Sequence, residues 1–327
     1  MRRGLYSVWF GLAVVTAQAK AQPSEVVRPP RWTPSKEARS ARAAFQLRVG
    51  ALVVPLRVMA IAVLPSAEVD IGHEGQRGGR LTAVAGSGRL RGAGAGRWTW
   101  RAPEQPGFYA VRFVSSEPRD TVHLTFMVAR PTTEVRDGML NGYRIGTYRP
   151  RPSSMSAAYE PPRGFVEARP ADHDILVSPN FRLGHFLCKD PGDPRYLLVS
   201  PWLLIKLEAI LVAVNEAGYE TNALTVMSGF RTPAYNRAIG NTTDFSRHLW
   251  GDAADIYIDV DGDDQMDDVN RDGRSGLGDA RWLARVIEDL MEDDRLSLAA
   301  GGLAIYRRNP AHGPFVHVDA RGRRARW

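Results

Sequence analysis

The pattern of apolar residues changes near the middle of this chain, and that change constrains its fold more than any single motif does. From Phe45 to Arg130 short apolar runs alternate with Gly and Pro clusters, at Leu52 to Leu64, Leu81 to Val84, Arg97 to Trp100, Phe108 to Val114 and Val122 to Val128. Runs this short, separated by turn residues, predict an all-β sandwich. In the last run Val122, Leu124, Phe126 and Val128 fall on one face and His123 and Thr125 on the other, the period of two expected of a half-buried strand. Past a Pro- and Arg-bearing stretch the period lengthens. Leu203, Leu207, Ile210, Leu211 and Val214 recur at helical spacing, with Ser200 as cap, Pro201 in the first turn and Gly218 as stop, and Leu224 to Met227 reads as a strand. The chain therefore divides into a β-sandwich at residues 45–130, a connector at 131–164 and a mixed helix-and-strand unit at 165–327. Its 327 residues are enough for two cores.

The first residues indicate the compartment. Arg2 and Arg3 precede an apolar stretch from Leu5 to Val15 and small residues at Ala17, Ala19 and Ala21, the three-part layout of a secretory signal at residues 1–21. Residues 22–44, rich in Pro, Ser and charge, read as a flexible tether. A membrane span needs about 20 apolar residues, so the expectation is a cleaved signal and no span thereafter. Cys188 is the only cysteine, which rules out an intramolecular disulfide and leaves stability to packed cores or metals. A lone thiol in an exported chain fits a bacterial periplasm, and His185 with Cys188 reads as a buried thiol rather than half of a metal site.

With 44% hydrophobic and 24% charged residues, wholesale disorder and a polytopic membrane protein are excluded. The formal charge is +7, but three of the 43 Lys and Arg lie in the signal, so the mature chain carries about +4. Apart from the run Arg321 to Arg326 the arginines are scattered, and no nucleic-acid partner is expected. Trp98, Trp100, Pro106, Gly107 and Tyr109 together resemble an immunoglobulin-like module. With no titratable cluster there, the sandwich reads as a spacer or a glycan- or partner-binding module.

The densest polar segment runs from Ser228-Gly-Phe-Arg-Thr-Pro-Ala-Tyr-Asn236 through Ser246-Arg-His-Leu-Trp-Gly-Asp-Ala-Ala-Asp-Ile256, and Phe315-Val-His-Val-Asp319 follows later. Together these three segments resemble the zinc D-Ala-D-Ala carboxypeptidase family, in the superfamily of lysostaphin-type endopeptidases and the hedgehog signalling domain, over roughly Phe165 to Trp327. The resemblance implies a small α+β fold around an antiparallel sheet. It also implies zinc held by an H-x6-D pair and a later His, here His248, Asp255 and His317. Two imidazoles and one carboxylate are a donor set zinc favours, and three protein ligands leave a fourth position for water. Arg231 is implied to reach a substrate carbonyl or carboxylate, for which a guanidinium fork is suited, and Ser246 to line the site. Tyr235 and Asn236 read as turn and packing residues.

The chain departs from the family pattern at one place. Several members carry a general-base Glu three residues before the last zinc His, and Pro314 stands there; lysostaphin-like relatives have a His two residues before, and Phe315 stands there. The expected catalytic base is His312, because an imidazole titrates near working pH and a few relatives carry a His at that offset, with Asp319 as the other candidate.

Between the zinc motifs, Asp259 to Asp279 holds eight Asp against two Arg and would repel itself without a cation. Asp268 to Asp279 follows the EF-hand spacing, with oxygen ligands at positions one, three and five, Gly at six and a carboxylate at twelve, and resembles the dockerin-type variant. Asp268, Asn270, Asp272 and Asp279, with the Arg274 carbonyl, are the expected calcium ligands, and an amphipathic helix follows them. Asp259, Asp261 and Asp263 begin a similar pattern, but Asp264 stands where Gly belongs, so a second full loop is not expected.

The sequence thus points to an exported zinc metallopeptidase that hydrolyses peptidoglycan stem peptides or crosslinks at a bond adjoining D-Ala by metal-activated water, with carboxypeptidase and endopeptidase both open. A zinc-containing wall-binding or scaffolding protein without activity is the rival reading, and a calcium-dependent adhesion module built on the sandwich is the third.

Overall fold

A computed structural model describes residues 41–74, 80–94, 96–292 and 300–327. The signal and residues 22–40 of the tether lie outside the described residues.

The first unit has nine strands among the described residues: β1 (Arg42–Val49), which takes up residues 42–44 of the expected tether, β2 (Leu52–Leu56), β3 (Val58–Val63), β4 (Glu68–Glu74), β5 (Leu81–Ala85), β6 (Arg89–Gly94), β7 (Arg97–Arg101), β8 (Gly107–Ser116) and β9 (Arg119–Val128). They form two sheets, in the orders β2-β1-β4-β7-β6 and β3-β9-β8-β5. The apolar run from Leu52 to Leu64 breaks at Arg57, and its two halves enter different sheets. Strands β4 and β6 escaped the sequence reading because each alternates polar, charged or glycine residues with only one or two large apolar ones. The sheets meet through aromatic side chains. Trp100 of β7 stacks on Phe126 of β9 at a centroid distance of 4.3 Å, and Trp98 meets Phe113 edge-on at 5.2 Å. Val122, Leu124, Phe126 and Val128 are buried as their alternation requires.

The second unit starts with β10 (Arg130–Pro131), the hairpin β11 (Met139–Leu140) and β12 (Tyr143–Arg144), and β13 (Gly164–Ala168), which pairs with β10 and β14 (Arg195–Leu197). Helix α1 (Pro201–Glu216) buries Leu203, Leu207, Ile210, Leu211 and Val214. Its first residue is Pro201 as expected, but the Ser200 side chain makes no capping bond. The main sheet has the order β15-β16-β18-β17-β19, from β15 (Thr225–Ser228), β16 (Ala253–Tyr257), β17 (Gly302–Tyr306), β18 (Phe315–Asp319) and β19 (Ala325–Arg326). It is antiparallel except where β17 meets β19. Helix α2 (Pro233–Ala238) is short, and α3 (Leu277–Glu292) packs on α1 and on the sheet through Leu283, Ile287 and Leu290. Mixed sheets with few helices make this an α+β unit.

The segment read as a connector is bound into this unit. Leu140, Tyr143, Ile145 and Tyr159 are buried, the Tyr148 hydroxyl donates to the Leu249 carbonyl at 2.7 Å, and the Ile145 carbonyl accepts from Ala234 N at 3.1 Å. One hydrophobic cluster runs through both units, and Ala60 N of β3 donates across the junction to the Val177 carbonyl at 2.8 Å.

Candidate active site

The antiparallel register of the main sheet assembles the site. Asp255 on β16 lies directly opposite His317 on β18, and opposite Ser228 on β15 at its other side. Directly paired residues project to the same face of a sheet, so three polar side chains form one row. His248 joins them from the short 3₁₀ turn Arg247–Trp250. The chain leaves that turn through Gly251 at φ 66°, where a Cβ would lie 2.3 Å from the Leu198 carbonyl oxygen, so only glycine fits.

Nitrogen and oxygen atoms of His248, Asp255 and His317 lie within 4.8 Å of one another, and all three residues are buried. His248 Nε2 is 3.2 Å from Asp255 Oδ1 and 3.3 Å from His317 Nδ1, and His317 Nδ1 is 2.9 Å from Asp255 Oδ1. The Gly229 carbonyl can only accept, so His248 Nδ1, 2.6 Å away, carries the proton, and Nε2 presents a lone pair to the cluster. Asp319 is fully buried behind His317, with Oδ2 at 3.4 Å from a buried Nε2 that has no hydrogen-bond partner. Arg321 Nε contacts both Asp319 oxygens at 2.9 Å, and Gly302 N donates to Oδ1 at 2.8 Å. A Cβ on Gly302 would stand 2.3 Å from Asp319 Oδ2, which explains the glycine. Asp319, weighed above as a base, is thus a buried orienting carboxylate that faces the outer nitrogen of His317.

These surroundings set the charge states. Burial would raise the Asp255 carboxyl, but His248 and His317 outweigh it and hold the group well below the carboxylate range. Burial lowers His248 more than Asp255 raises it. Burial would also lower His317, yet Asp255 and Asp319 on its two sides raise it. Two imidazole nitrogens and a carboxylate oxygen converging at this separation, with an orphaned Nε2–H site aimed at a second-sphere carboxylate, fit a zinc ion.

Arg231 Nη2 donates to Asp255 Oδ2 at 2.6 Å and its Nε to Ser228 Oγ at 2.9 Å, so the guanidinium fixes the Asp255 oxygen farther from the two histidines. Above the cluster lies a cleft of about 820 Å³ whose lining includes Arg231, Ser246, His312 and Trp327. Half-buried His312 packs edge-on against Phe315 at 4.8 Å, and its Nδ1 lies 2.7 Å from the Gly313 carbonyl, which leaves Nε2 as the accepting nitrogen. Pro314 is buried. The structure thus brings His248, Asp255, His317, Arg231, Ser246 and His312 to one cleft.

The former connector builds the back of the site. Arg247, buried and paired with Asp252, lies 4.3 Å from the Tyr159 ring centroid, and its Nη1 donates to the Ala158 carbonyl at 3.1 Å. Nothing in the composition of residues 131–164 marks this role, because it depends on contacts roughly 90 residues apart in the chain.

The acidic loop departs from expectation in two respects: the turn at Asp264, and the expected calcium ligands Asp268, Asp272 and Asp279, whose carboxylates do not converge. Asp268 Oδ1 accepts from Asp272 N at 3.0 Å and Oδ2 from Gly273 N at 2.7 Å, Asp272 Oδ1 accepts from Arg274 N at 3.0 Å, and Asn270 Oδ1 accepts from Asp272 N at 2.8 Å. Buried Asp279 accepts from Asn270 N and Gly276 N. The same pattern occurs nine residues earlier, where Asp259 accepts from Asp263 N and Asp264 N, Asp261 from Asp263 N, and Asp263 from Gln265 N. Asp264 takes the position-six conformation with φ 61°, so the first half of this loop turns without a glycine, while its position twelve falls on Asn270 of the following loop. Carboxylates of Asp259, Asp261 and Asp267 come within 4.8 Å of one another, whereas Asp268, Asp272 and Asp279 form no such group.

Residues 190–276 match the family model Peptidase M15. The matched stretch carries Arg231, Ser246, His248 and Asp255, while His317 lies beyond it. The match supports a metallopeptidase of the zinc-dependent M15 kind, consistent with the His, Asp and His group in the M15-like unit. A search of curated proteins gives no match to the chain.

Proposed function

We propose that the chain is an exported zinc metallopeptidase that hydrolyses peptidoglycan stem peptides or crosslinks at a bond adjoining D-Ala. The observation that carries this reading is the convergence of His248, Asp255 and His317 on one cleft within and beside the M15 match. Zinc bound there supplies a Lewis acid and lowers the pKa of water toward neutrality. The chain's own groups supply the rest. Gly229 and Asp319 orient the two imidazoles, Arg231 holds Asp255 and presents its remaining N–H groups to a carboxylate or developing oxyanion, and His312 Nε2 accepts and returns the proton. Ser246 lines the approach. Calcium is the cation that the spacing of Asp268 to Asp279 fits, and the immunoglobulin-like sandwich is a spacer or wall-facing module.

The second reading, a zinc-containing wall-binding protein without activity, is favoured by one observation: Pro314, which cannot take a proton, stands where a general-base Glu is found in relatives. Elemental analysis of the purified mature chain, followed by mass spectrometry of digested murein, separates the two. Stoichiometric zinc with cleavage next to D-Ala, lost in His248→Ala and in His312→Ala, is the expected result. Zinc without cleavage moves the assignment to wall binding, and absence of zinc overturns both.

A further inference from the structure

At one end of the sandwich the two sheets do not close on each other. Phe45 of β1, His73 of β4 and Trp98 of β7 on one sheet, with Leu81 of β5 and Ser115 of β8 on the other, line a cavity of about 560 Å³ there, a volume typical of small-molecule sites. The register puts these side chains on the inner faces. His73 pairs with buried Leu47 and Trp98 with buried Ile71, while Ser115 follows buried Val111 and Phe113 along its strand at steps of two. The rings are held in place: Phe45 and His73 stack with centroids 6.3 Å apart, Trp98 meets Phe113 edge-on, and His73 N donates to the Gly96 carbonyl at 2.9 Å.

Two features of the cavity point to a ligand and to its chemistry. Ser115 is only 4% exposed, and among the described residues nothing donates to or accepts from its hydroxyl. A buried hydroxyl without a partner works against folding, and an apolar residue would have continued the alternation of β8. The charges at the cavity balance. Glu74 is paired with Arg48 at 2.6 Å, and the exposed Arg80 and Glu117 contribute one charge of each sign. An ion entering would lose water without gaining a net counter-charge, and a purely apolar ligand would leave Ser115 unsatisfied. A neutral sugar meets both conditions, because its C–H faces pack on aromatic rings and its hydroxyls donate and accept.

We propose that this end of the sandwich binds a short neutral saccharide, which packs on Trp98 and His73 and hydrogen-bonds to the Ser115 hydroxyl. The site lies outside the M15 match and does not depend on the peptidase reading. The saccharide comes either from an amino-sugar strand or from a plain glucan, and the test distinguishes them. Calorimetric titration of the purified chain uses the tetramer of N-acetylglucosamine, maltotetraose and an acidic oligogalacturonate, with wild type, Trp98→Ala, Ser115→Ala and His248→Ala. Wild type should bind a neutral tetramer, and the one preferred identifies the source. Loss of the stacking ring in Trp98→Ala should raise Kd about 10-fold or more, and Ser115→Ala should raise it about 3- to 10-fold. Because its hydroxyl has no partner in the protein, Ser115→Ala should also unfold at the same urea concentration as wild type or a higher one, which a structural role would not allow. His248→Ala should bind as wild type does, whatever becomes of hydrolysis. Wild type that binds neither neutral tetramer overturns the site, as does binding that Trp98→Ala and Ser115→Ala leave unaltered. Preference for the acidic chain overturns the assignment to a neutral saccharide.

Discussion

The two units bury their interiors in different ways. Among the described residues of the sandwich, Ser115 is the only buried polar one, and the space between its sheets is filled by Trp100, Phe113, Phe126 and aliphatic side chains. The M15-like unit buries Lys206, Glu208, Arg247, Asp252, Asp255, Asp279 and Asp319 along with His248 and His317. Removing an ion from water costs several kcal/mol unless it is well paired, and these groups have partners. Lys206 Nζ donates to the Asp319 carbonyl at 2.6 Å, and Glu208 accepts from Ser178 Oγ and Asn180 N at 2.7 Å each. Apart from the cavity that Ser115 faces, apolar packing alone gives the sandwich a stable shape, with no buried charge to position. The second unit carries costly charges where they hold two imidazoles and a carboxylate within hydrogen-bonding reach of one another.

The contrast can be broken most severely at the cluster itself. His248→Ala should reduce murein hydrolysis on the order of 10³-fold or more, because the donor set is lost, while the denaturation profile of the sandwich stays unchanged. Equal loss of both would mean that the units do not differ in function as argued. The mirror experiment is Trp100→Ala, which removes a ring stacked between the sheets and should lower stability by about 3–5 kcal/mol in urea titration; zinc content at low denaturant should not change.

Lys206 sharpens the comparison through pH. Burial lowers its pKa from 10.5 to about 8, against the attraction of Asp319. The folded state then holds this proton less tightly than the unfolded chain, so the cost of the buried cation is present in full below pH 8 and is relieved as pH rises toward 10.5. The stability of the wild type relative to Lys206→Met should therefore increase across that window by up to about 3 kcal/mol, and a constant difference would show that Lys206 is not buried as a cation. The smallest effect is expected at Asp319. Asp319→Asn keeps the shape but weakens the acceptor facing His317, and should lower zinc affinity about 10- to 100-fold in competition with a chelator while the fold persists by circular dichroism.

Legibility followed chain distance. His248 and Asp255 were recognisable because one turn and the start of one strand set their separation, and Pro201, the α1 periodicity and the β9 alternation were equally local. Asp264 turns at position six without a glycine because an aspartate can adopt positive φ when a neighbouring carboxylate accepts from its backbone, a compensation that spacing rules do not contain. Strands β4 and β6 lacked an apolar stripe, and pairing with neighbours rather than propensity made them strands.

Residue types and local periodicity by themselves determined that this chain has a β unit, a unit of mixed helix and strand and an acidic loop, because each is written over a few consecutive turns of chain, whereas the zinc donor set was implied by the resemblance of three separated segments to a known family. Only the tertiary structure decided that residues 131–164 brace the site, that Asp319 stands behind His317 rather than in the cleft, and that Trp98 and Ser115 line one cavity. Those facts arise from the register of β16 on β18 and from contacts across long stretches of chain, where hydrogen-bond pairing and packing, not sequence spacing, fix which side chains meet.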